Sequence, residues 1–317
     1  MRLSSCSARS GQGRALPLQL LRVSDANMTA LQKRNKLNLI KLGALCVLAL
    51  CPLWFTSGLP ASTLQQKNLT LSTLEQFQED LNNAPCKSSE RLKAAQALFT
   101  KMGASADNMT VVSQGGFKNL VVNVRGNPDE IVVVGAHYDK VLQGCGAIDN
   151  WTGIVTIAHL FKTLKNAKLN KTFLFIGFAD EEEGMLGSKA FVGKIKKEEI
   201  SHYCAMINID SLGMTDLWVP ANMTSKSMLP VALDVAKSQG ISINESSLNG
   251  GDSDSTSFVD RKIPALTIVG LSKDWPKVLH SANDQTSKID PKLVFLGYKF
   301  TLALIDKIDN SACNSFK

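Results

Sequence analysis

Two spacings of apolar residues follow one another along the chain from residue 72 onward. The first segments, STLEQFQEDLNNA and SSERLKAAQALFTKM, place apolar residues at helical spacing behind Ser or Thr in capping positions, which predicts two opening helices. Two short strands are predicted next, around residues 109–113 and 118–124. The predicted domain therefore begins with two helices followed by two short strands.

Continuous apolar runs then alternate with helical segments. The runs predict strands at 131–136, 173–179, 205–209 and 265–270, and the segments between and after them predict helices at 150–164, 187–196, 227–238 and 292–307. Strands that are apolar on both faces belong to a sheet with a parallel centre and helices on both faces. We therefore predict the α/β class with a mixed sheet, and a single domain over residues 70–317, because no repeat or Pro/Gly-rich linker divides that range.

Composition and charge exclude a mainly disordered chain and make a nucleic-acid partner unexpected. The 317 residues are 44% hydrophobic, which excludes a mainly disordered chain. The formal charge of +7 comes from residues 1–60, which hold eight basic residues and one acid, whereas residues 61–317 hold 27 of each sign. The predicted domain has no net charge that would attract a polyanion, so no nucleic-acid partner is expected.

The N-terminal segment has the pattern of an export signal. Residues 42–55 are fourteen uncharged, mostly apolar positions that follow Lys33, Arg34, Lys36 and Lys41. This length is typical of a signal peptide, so we predict a leader over 28–60 and a secreted or periplasmic protein. An uncleaved anchor over 37–59 is the alternative, and the membrane would then be contacted only there. We also expect translation to start at Met28, with residues 1–27 not part of the product, and we expect a monomer.

Four cysteines follow the leader: Cys86, Cys145, Cys204 and Cys313. An even number in an exported protein permits disulfides in three connectivities. We favour a Cys86–Cys313 bridge between the chain ends and read Cys204 as a small buried hydrophobe within a strand. No CxxC spacing occurs, so a zinc-thiolate site is not expected.

Acids and histidines follow the predicted strands at their carboxyl ends. Strand 131–136 leads into His137 and Asp139, strand 173–179 into Glu181 and Glu182, and strand 205–209 into Asp210; Asp149 precedes a helix and His280 lies in a polar loop. Carboxyl ends of parallel strands share one edge of an α/β sheet, where ligands bind. Because crowded carboxylates repel one another, they require a cation, and imidazole donors favour zinc over calcium or magnesium.

The number of donors suggests two zinc ions. His137, Asp149, Glu182, Asp210 and His280 are the candidate ligands, more than one tetrahedral site uses. If one carboxylate bridges, each ion has three protein donors and keeps an open position. Glu181 is then free to act as a general base, and Asp139 can accept the second N–H of the His137 imidazole.

Six ordered motifs resemble one family. HYD (137–139), AIDNWTG (147–153), DEEEGMLGS (180–188), NIDSLG (208–213), SDSTSF (253–258) and HSANDQTSKID (280–290) resemble the zinc-dependent exopeptidases of metallo family 28, over about residues 110–310. The resemblance implies that His137 and Asp210 hold one zinc, that Glu182 and His280 hold the other, and that Asp149 bridges them. It also implies a cis Asp149–Asn150 peptide. The pattern departs at Ser255, where the family often has His.

The resemblance implies an aminopeptidase that acts on peptides with a free N-terminus, through a water that bridges the zinc ions and with Glu181 as base. The alternatives are a single-zinc glutaminyl cyclase that uses only Asp149, Glu182 and His280, and a non-catalytic binding domain. Carboxypeptidase activity is disfavoured because no arginine is obviously dedicated to a C-terminal carboxylate; Arg261 is the nearest candidate. Asp254 is read either as part of a solvated turn or as a pocket residue near the substrate amine.

Overall fold

The computed structural model describes residues 69–317, apart from the side chains of residues 244 and 245. The predictions for residues 1–27, 28–60 and 37–59 lie outside the described residues. Within 69–317, no helix combines the length and the hydrophobicity needed to cross a membrane.

Six strands form the main sheet, in the order β1-β2-β4-β3-β5-β8. The strands are β1 (Met109–Gln114), β2 (Phe117–Val124), β3 (Asn127–His137), β4 (Lys171–Phe178), β5 (Tyr203–Ile209), β6 (Trp218–Pro220), β7 (Asn244–Ser246) and β8 (Ala265–Ile268). β4, β3, β5 and β8 are parallel neighbours, whereas β1 and β2 add an antiparallel edge. The predicted mixed sheet with a parallel centre is confirmed. β6 and β7 form a separate pair, too short for the sequence pattern to indicate.

Helices cover both faces of this sheet. They are α1 (Leu74–Asn82), α2 (Ser88–Lys101), α3 (Thr152–Leu164), α4 (Leu186–Lys194), α5 (Met228–Ser238), α6 (Ser255–Asp260) and α7 (Pro291–Asp309). Alternate residues of β3 face opposite sides: Val132 and Val134 belong to the core with Phe161 of α3, and Val133 to a second core with Phe191 of α4. This alternation follows from the two-residue period of a strand and explains why residues 131–136 of β3 are apolar without interruption.

The two opening helices pack beside the sheet through a buried polar cluster. His159 of α3 is fully buried, and its ring nitrogens lie 2.8 Å from Ser72 Oγ and 3.1 Å from Asp80 Oδ2. The Asp80 carbonyl accepts a hydrogen bond of 3.0 Å from the Trp151 indole. His159 is thus a packing histidine, and α1 is tied to the segment that follows Asp149.

The structure pairs the cysteines differently from the prediction. The bridges are Cys86–Cys145 and Cys204–Cys313, with Cα–Cα distances of 4.0 Å and 4.7 Å. The favoured Cys86–Cys313 bridge is wrong, and so is the reading of Cys204 as an unpaired residue. The pairing depends on which turns pack together: Cys313 begins the last turn, 313–316, which packs against β5, where Cys204 lies.

We expect peptide mapping of the unreduced protein to recover the Cys86–Cys145 and Cys204–Cys313 links. Replacing both Cys204 and Cys313 by serine should lower the free energy of unfolding by about 2–5 kcal/mol, because the unfolded chain gains freedom. Chemical denaturation measures the change. Recovery of a peptide that joins Cys86 to Cys313 would contradict this pairing.

Candidate metal centre

Three parallel strands deliver donor groups to one edge of the sheet. β3 ends at His137, the chain after β4 carries Glu181 and Glu182, and Asp210 follows β5 directly. The remaining two donors come from loops: Asp149 from the irregular turn 147–151 and His280 from the loop before α7. All five predicted ligands and the predicted base, Glu181, are therefore brought to one side of the sheet.

Asp149 lies between the two histidines. Its Oδ1 is 3.1 Å from Nε2 of His137, and its Oδ2 is 3.0 Å from Nε2 of His280. The two oxygens of one carboxylate thus face two different imidazoles. The Asp149–Asn150 peptide is cis, as the family resemblance implied.

Each histidine also faces a carboxylate of its own. Nε2 of His280 is 2.9 Å from Oε2 of Glu182, and Nε2 of His137 is 3.7 Å from Oδ1 of Asp210. The donors therefore form two groups that share Asp149. This is the division that the sequence motifs implied.

The chemistry of these donors fits a cation. His137 is buried, and its Nε2 makes no hydrogen bond to any described residue although carboxylates lie on several sides. One donor atom from each of His137, Asp149 and Glu182 lies within 4.8 Å of the others. Buried carboxylates and imidazoles this close, with Nε2 of His137 and Oε1 of Glu182 lacking hydrogen-bond partners among the described residues, are arranged as metal ligands are.

Glu181 lies beside both donor groups without pairing closely with either histidine. Its Oε2 is 3.9 Å from Nε2 of His137. Burial raises the pKa of Glu181 well above its ordinary value; His137 opposes this rise, and the carboxylates of Asp210 and Asp254 add to it. A carboxylate with a raised pKa can take up a proton near neutral pH, which a general base requires.

Asp139 lies behind His137. Its Oδ1 is 3.3 Å from Nδ1 of His137, and its Oδ2 accepts a hydrogen bond of 3.1 Å from the Glu182 amide. It therefore orients the imidazole from the side opposite Asp149 and also holds the chain that carries Glu182. This is the placement that an outer carboxylate of a metal-binding histidine has.

A cavity of about 260 Å³ opens beside the donors. One wall carries Asp149, Glu181, Glu182, Asp210 and His280. The same cavity is also lined by the apolar side chains of Met223, Leu248, Val269, Leu271, Trp275 and Leu279. The cavity thus places an apolar recess directly beside the donor groups.

Residues 119–296 match the family model described as Peptidase family M28. The chain belongs to peptidase family M28. Aminopeptidase Y of Saccharomyces cerevisiae is 34% identical over 96 residues, which cover 30% of this chain and 18% of that protein. The first curated relatives are matched over only 18–19% of their own length.

Solved structures place this M28 chain in a known fold. LapA aminopeptidase of Legionella pneumophila superposes with a TM-score of 0.62 and 20% identity, covering 78% of this chain and 71% of LapA. Glutaminyl cyclase of Porphyromonas gingivalis superposes with a TM-score of 0.59 and 14% identity, over 75% of this chain and 99% of the cyclase. Likenesses at these identities show the fold that the M28 chain shares with both proteins.

Two residues that the sequence pattern did not single out hold the turn 147–151 of this M28 domain. The Asp284 carboxylate accepts hydrogen bonds from the amides of Ile148 (2.7 Å) and Asp149 (3.2 Å). The side-chain amide of Asn150 makes two hydrogen bonds. Its Nδ2 donates to the Ile209 carbonyl at 2.8 Å, and its Oδ1 accepts from the main-chain N–H of Ser211 at 3.1 Å. Both residues lie inside quoted motifs, so their signal was present, but the pattern did not separate them from ordinary turn residues.

Two other polar residues differ from their sequence readings. Asp254 is fully buried and does not line the cavity, whereas Asp252 does. Burial raises the pKa of Asp254 to about 7. Arg261 donates a hydrogen bond of 2.6 Å to the Ile195 carbonyl and is absent from the cavity wall, so it is not placed to bind a substrate carboxylate.

We expect Asp284→Ala to weaken metal binding about 10–100-fold, because the amides that fix the Asp149 backbone lose their acceptor. Competition with a chelator measures the affinity. The matched control is Asp274→Ala in the same loop, since Asp274 is exposed and pairs only with exposed Lys277. Equal metal affinity in the two variants would contradict this role of Asp284.

Proposed function

We propose that this M28 chain is a zinc-dependent aminopeptidase that removes N-terminal residues from peptides. The observation that carries the proposal is the Asp149 carboxylate, whose two oxygens lie 3.1 Å and 3.0 Å from two different imidazoles. This arrangement is what a carboxylate shared by two metal ions requires.

Zinc fits the donor chemistry. Mixed imidazole and carboxylate donors suit zinc better than magnesium or calcium, which prefer oxygen alone. We assign His137 and Asp210 to one ion, Glu182 and His280 to the other, and Asp149 to both. When bound, zinc supplies Lewis acidity that polarises a peptide carbonyl and lowers the pKa of water.

Glu181 moves the proton in this proposal. Its carboxylate lines the cavity beside both donor groups and is not needed as a ligand. It takes the proton of the attacking water and passes it to the leaving amine. Asp139 keeps the His137 imidazole oriented while this occurs.

The cavity favours a substrate with a free amine and an apolar first residue. Its apolar wall, with Leu248 and Trp275, suits an aliphatic or aromatic side chain. Glu181 and Asp252 bring negative charge that suits an ammonium group. Among the described residues that line the cavity there is no Lys or Arg, so a C-terminal carboxylate has no cationic partner there.

Glutaminyl cyclase activity is the second candidate, because the fold is shared with a protein of that activity. A single-zinc cyclase would use Asp149, Glu182 and His280 only. Here His137 and Asp210 also face the centre, with 3.7 Å between Nε2 of His137 and Oδ1 of Asp210. The donor pair of His137 and Asp210 offers a position for a second zinc ion, which favours a two-zinc peptidase over a single-zinc cyclase.

We further propose that the protein is exported and works as a monomer. Two disulfides within residues 69–317 suit an oxidising compartment outside the cytoplasm. Every proposed ligand comes from one chain, so a second subunit is not needed to complete the site. Cysteine mapping on protein recovered from outside the cytoplasm tests the compartment, and light scattering tests the oligomeric state.

A panel of substrates separates the candidate functions. We expect hydrolysis of aminoacyl amides with Leu or Met first, and loss of it when the amine is blocked or a chelator removes the metal. Metal analysis of the active protein should give two zinc ions per chain. One zinc together with pyroglutamate formation from N-terminal glutamine would instead establish the cyclase.

Replacing Glu181 by Gln tests its role as base. We expect turnover to fall by about 10²–10⁴-fold, since the amide cannot accept the proton, while both zinc ions remain bound. Steady-state kinetics and metal analysis on the same sample give both values. Glu183→Gln is the matched control, because Glu183 is the neighbouring acid and is absent from the cavity wall. Loss of zinc from Glu181→Gln would show that Glu181 is a ligand.

A further inference from the structure

Arg91 of α2 is the charged side chain that the proposed function leaves unexplained. It is fully buried, although removing a guanidinium from water is costly unless its donors are satisfied. Arg91 also precedes the part of the chain that the family model matches, residues 119–296. Neither the motifs nor the family therefore assigns it a role.

The guanidinium donates to main-chain carbonyls from three parts of the chain. Its Nε donates to the Tyr138 carbonyl, and its Nη1 donates to Pro85 at 3.1 Å and to Cys145 at 3.0 Å. The Cys86–Cys145 disulfide lies next to the last two acceptors. Within residues 69–317, the recorded hydrogen-bond partners of Arg91 are thus carbonyls rather than carboxylates.

Two of these carbonyls belong to the segments that carry metal ligands. Tyr138 is the residue between His137 and Asp139, so Arg91 holds the main chain at the point from which both side chains extend. Cys145 precedes the turn 147–151, which carries Asp149. On the other side of Asp149, the Trp151 ring lies 5.6 Å from Cζ of Arg91.

We propose that Arg91 is a positioning residue of the metal centre. It joins the His137 segment to the Asp149 segment and so maintains the 3.1 Å approach of His137 Nε2 to Asp149 Oδ1. Its loss weakens the metal position formed by His137, Asp149 and Asp210 more than the position formed by Asp149, Glu182 and His280, because only the first position also depends on the His137 segment. This inference rests on the metal-binding part of the proposed function.

The charge of Arg91 acts in the opposite direction from its hydrogen bonds. Burial lowers the pKa of Arg91 to about 10, while the carboxylates of Asp139 and Asp149 oppose this, so the group stays protonated at neutral pH. A fixed cation near the centre repels a metal ion. If the charge of Arg91 were its main effect, removing Arg91 would strengthen metal binding. If its main effect is to hold the His137 and Asp149 segments in place, removing Arg91 weakens metal binding.

Arg91→Met and Arg91→Lys separate these effects. Methionine removes the charge and the donors but keeps an apolar stem, whereas lysine keeps the charge on one nitrogen that cannot serve all three carbonyls. The matched control is Arg261→Met, because Arg261 also donates to a main-chain carbonyl, that of Ile195, away from the cavity. All variants are made in the full, disulfide-bonded chain.

We measure the affinity for each of the two zinc equivalents by competition with a chelator, and the melting temperature of the metal-free protein. Both Arg91 variants should bind one of the two equivalents about 10–100-fold more weakly than the parent chain, as outer-shell substitutions do. Arg261→Met should change both zinc affinities less than about twofold, even if its melting temperature falls as far as that of the Arg91 variants. A melting temperature alone would not distinguish placement from general stability.

Three outcomes overturn the proposal. They are unchanged affinity in both Arg91 variants, tighter binding in Arg91→Met, and equal weakening of both equivalents together with the same weakening in Arg261→Met. If Arg91→Met does not fold, Arg91→Lys decides alone. A parent chain that binds no zinc overturns the proposed function as well, whereas two tight zinc ions in the parent and in both variants overturn only the role of Arg91.

Discussion

The placement of one carboxylate between two imidazoles is the constraint on which the rest of the site depends. Asp149 is almost completely buried, and so are His137 and the nearby Glu182. Acids this close repel one another and lose their hydration, so the fold must supply the energy that holds them together. Burial opposes ionisation of Asp149, but the close approach of the His137 and His280 imidazoles holds its pKa below the ordinary value. The group is therefore kept as an anion that faces two directions.

Strands, loops and the opening helices all contact the residues around the Asp149 carboxylate. The parallel strands fix His137, Glu182 and Asp210, because strand ends in one sheet have little freedom relative to one another. The loops fix the turn around Asp149, through main-chain amides that donate to Asp284. The opening helices contact the same turn at Trp151. The Asp80 carbonyl of α1 accepts a hydrogen bond from the Trp151 indole, and Arg91 of α2 lies over the Trp151 ring. A site made of loops alone would need more ordering when it binds a ligand.

Much of the fold was predictable because long elements have strong periodicity. The predicted strand 131–136 corresponds to β3, which begins earlier, at Asn127, because Asn127 still pairs with Lys171 of β4 before the register shifts. The predicted helix 150–164 begins at Thr152, since 147–151 form an irregular turn with non-helical Asp149 and Asn150. The short elements β6, β7 and α6 were missed because so few positions show no period, whereas the equally short β8 was marked by a continuous apolar run.

The sequence by itself determined which donor types exist and that strands would deliver them to one edge, because strand direction and the two-residue period are local properties. It also carried the six motifs that assign the chain to its family. Only the tertiary structure decided which oxygen of Asp149 faces which histidine, how four cysteines pair, and that Arg91 and Asp284 make hydrogen bonds to the main chain near His137 and Asp149. Apart from the approach of His137 to Asp149, these contacts join residues 47 to 136 positions apart. Their distances depend on how layers pack, which no local pattern encodes.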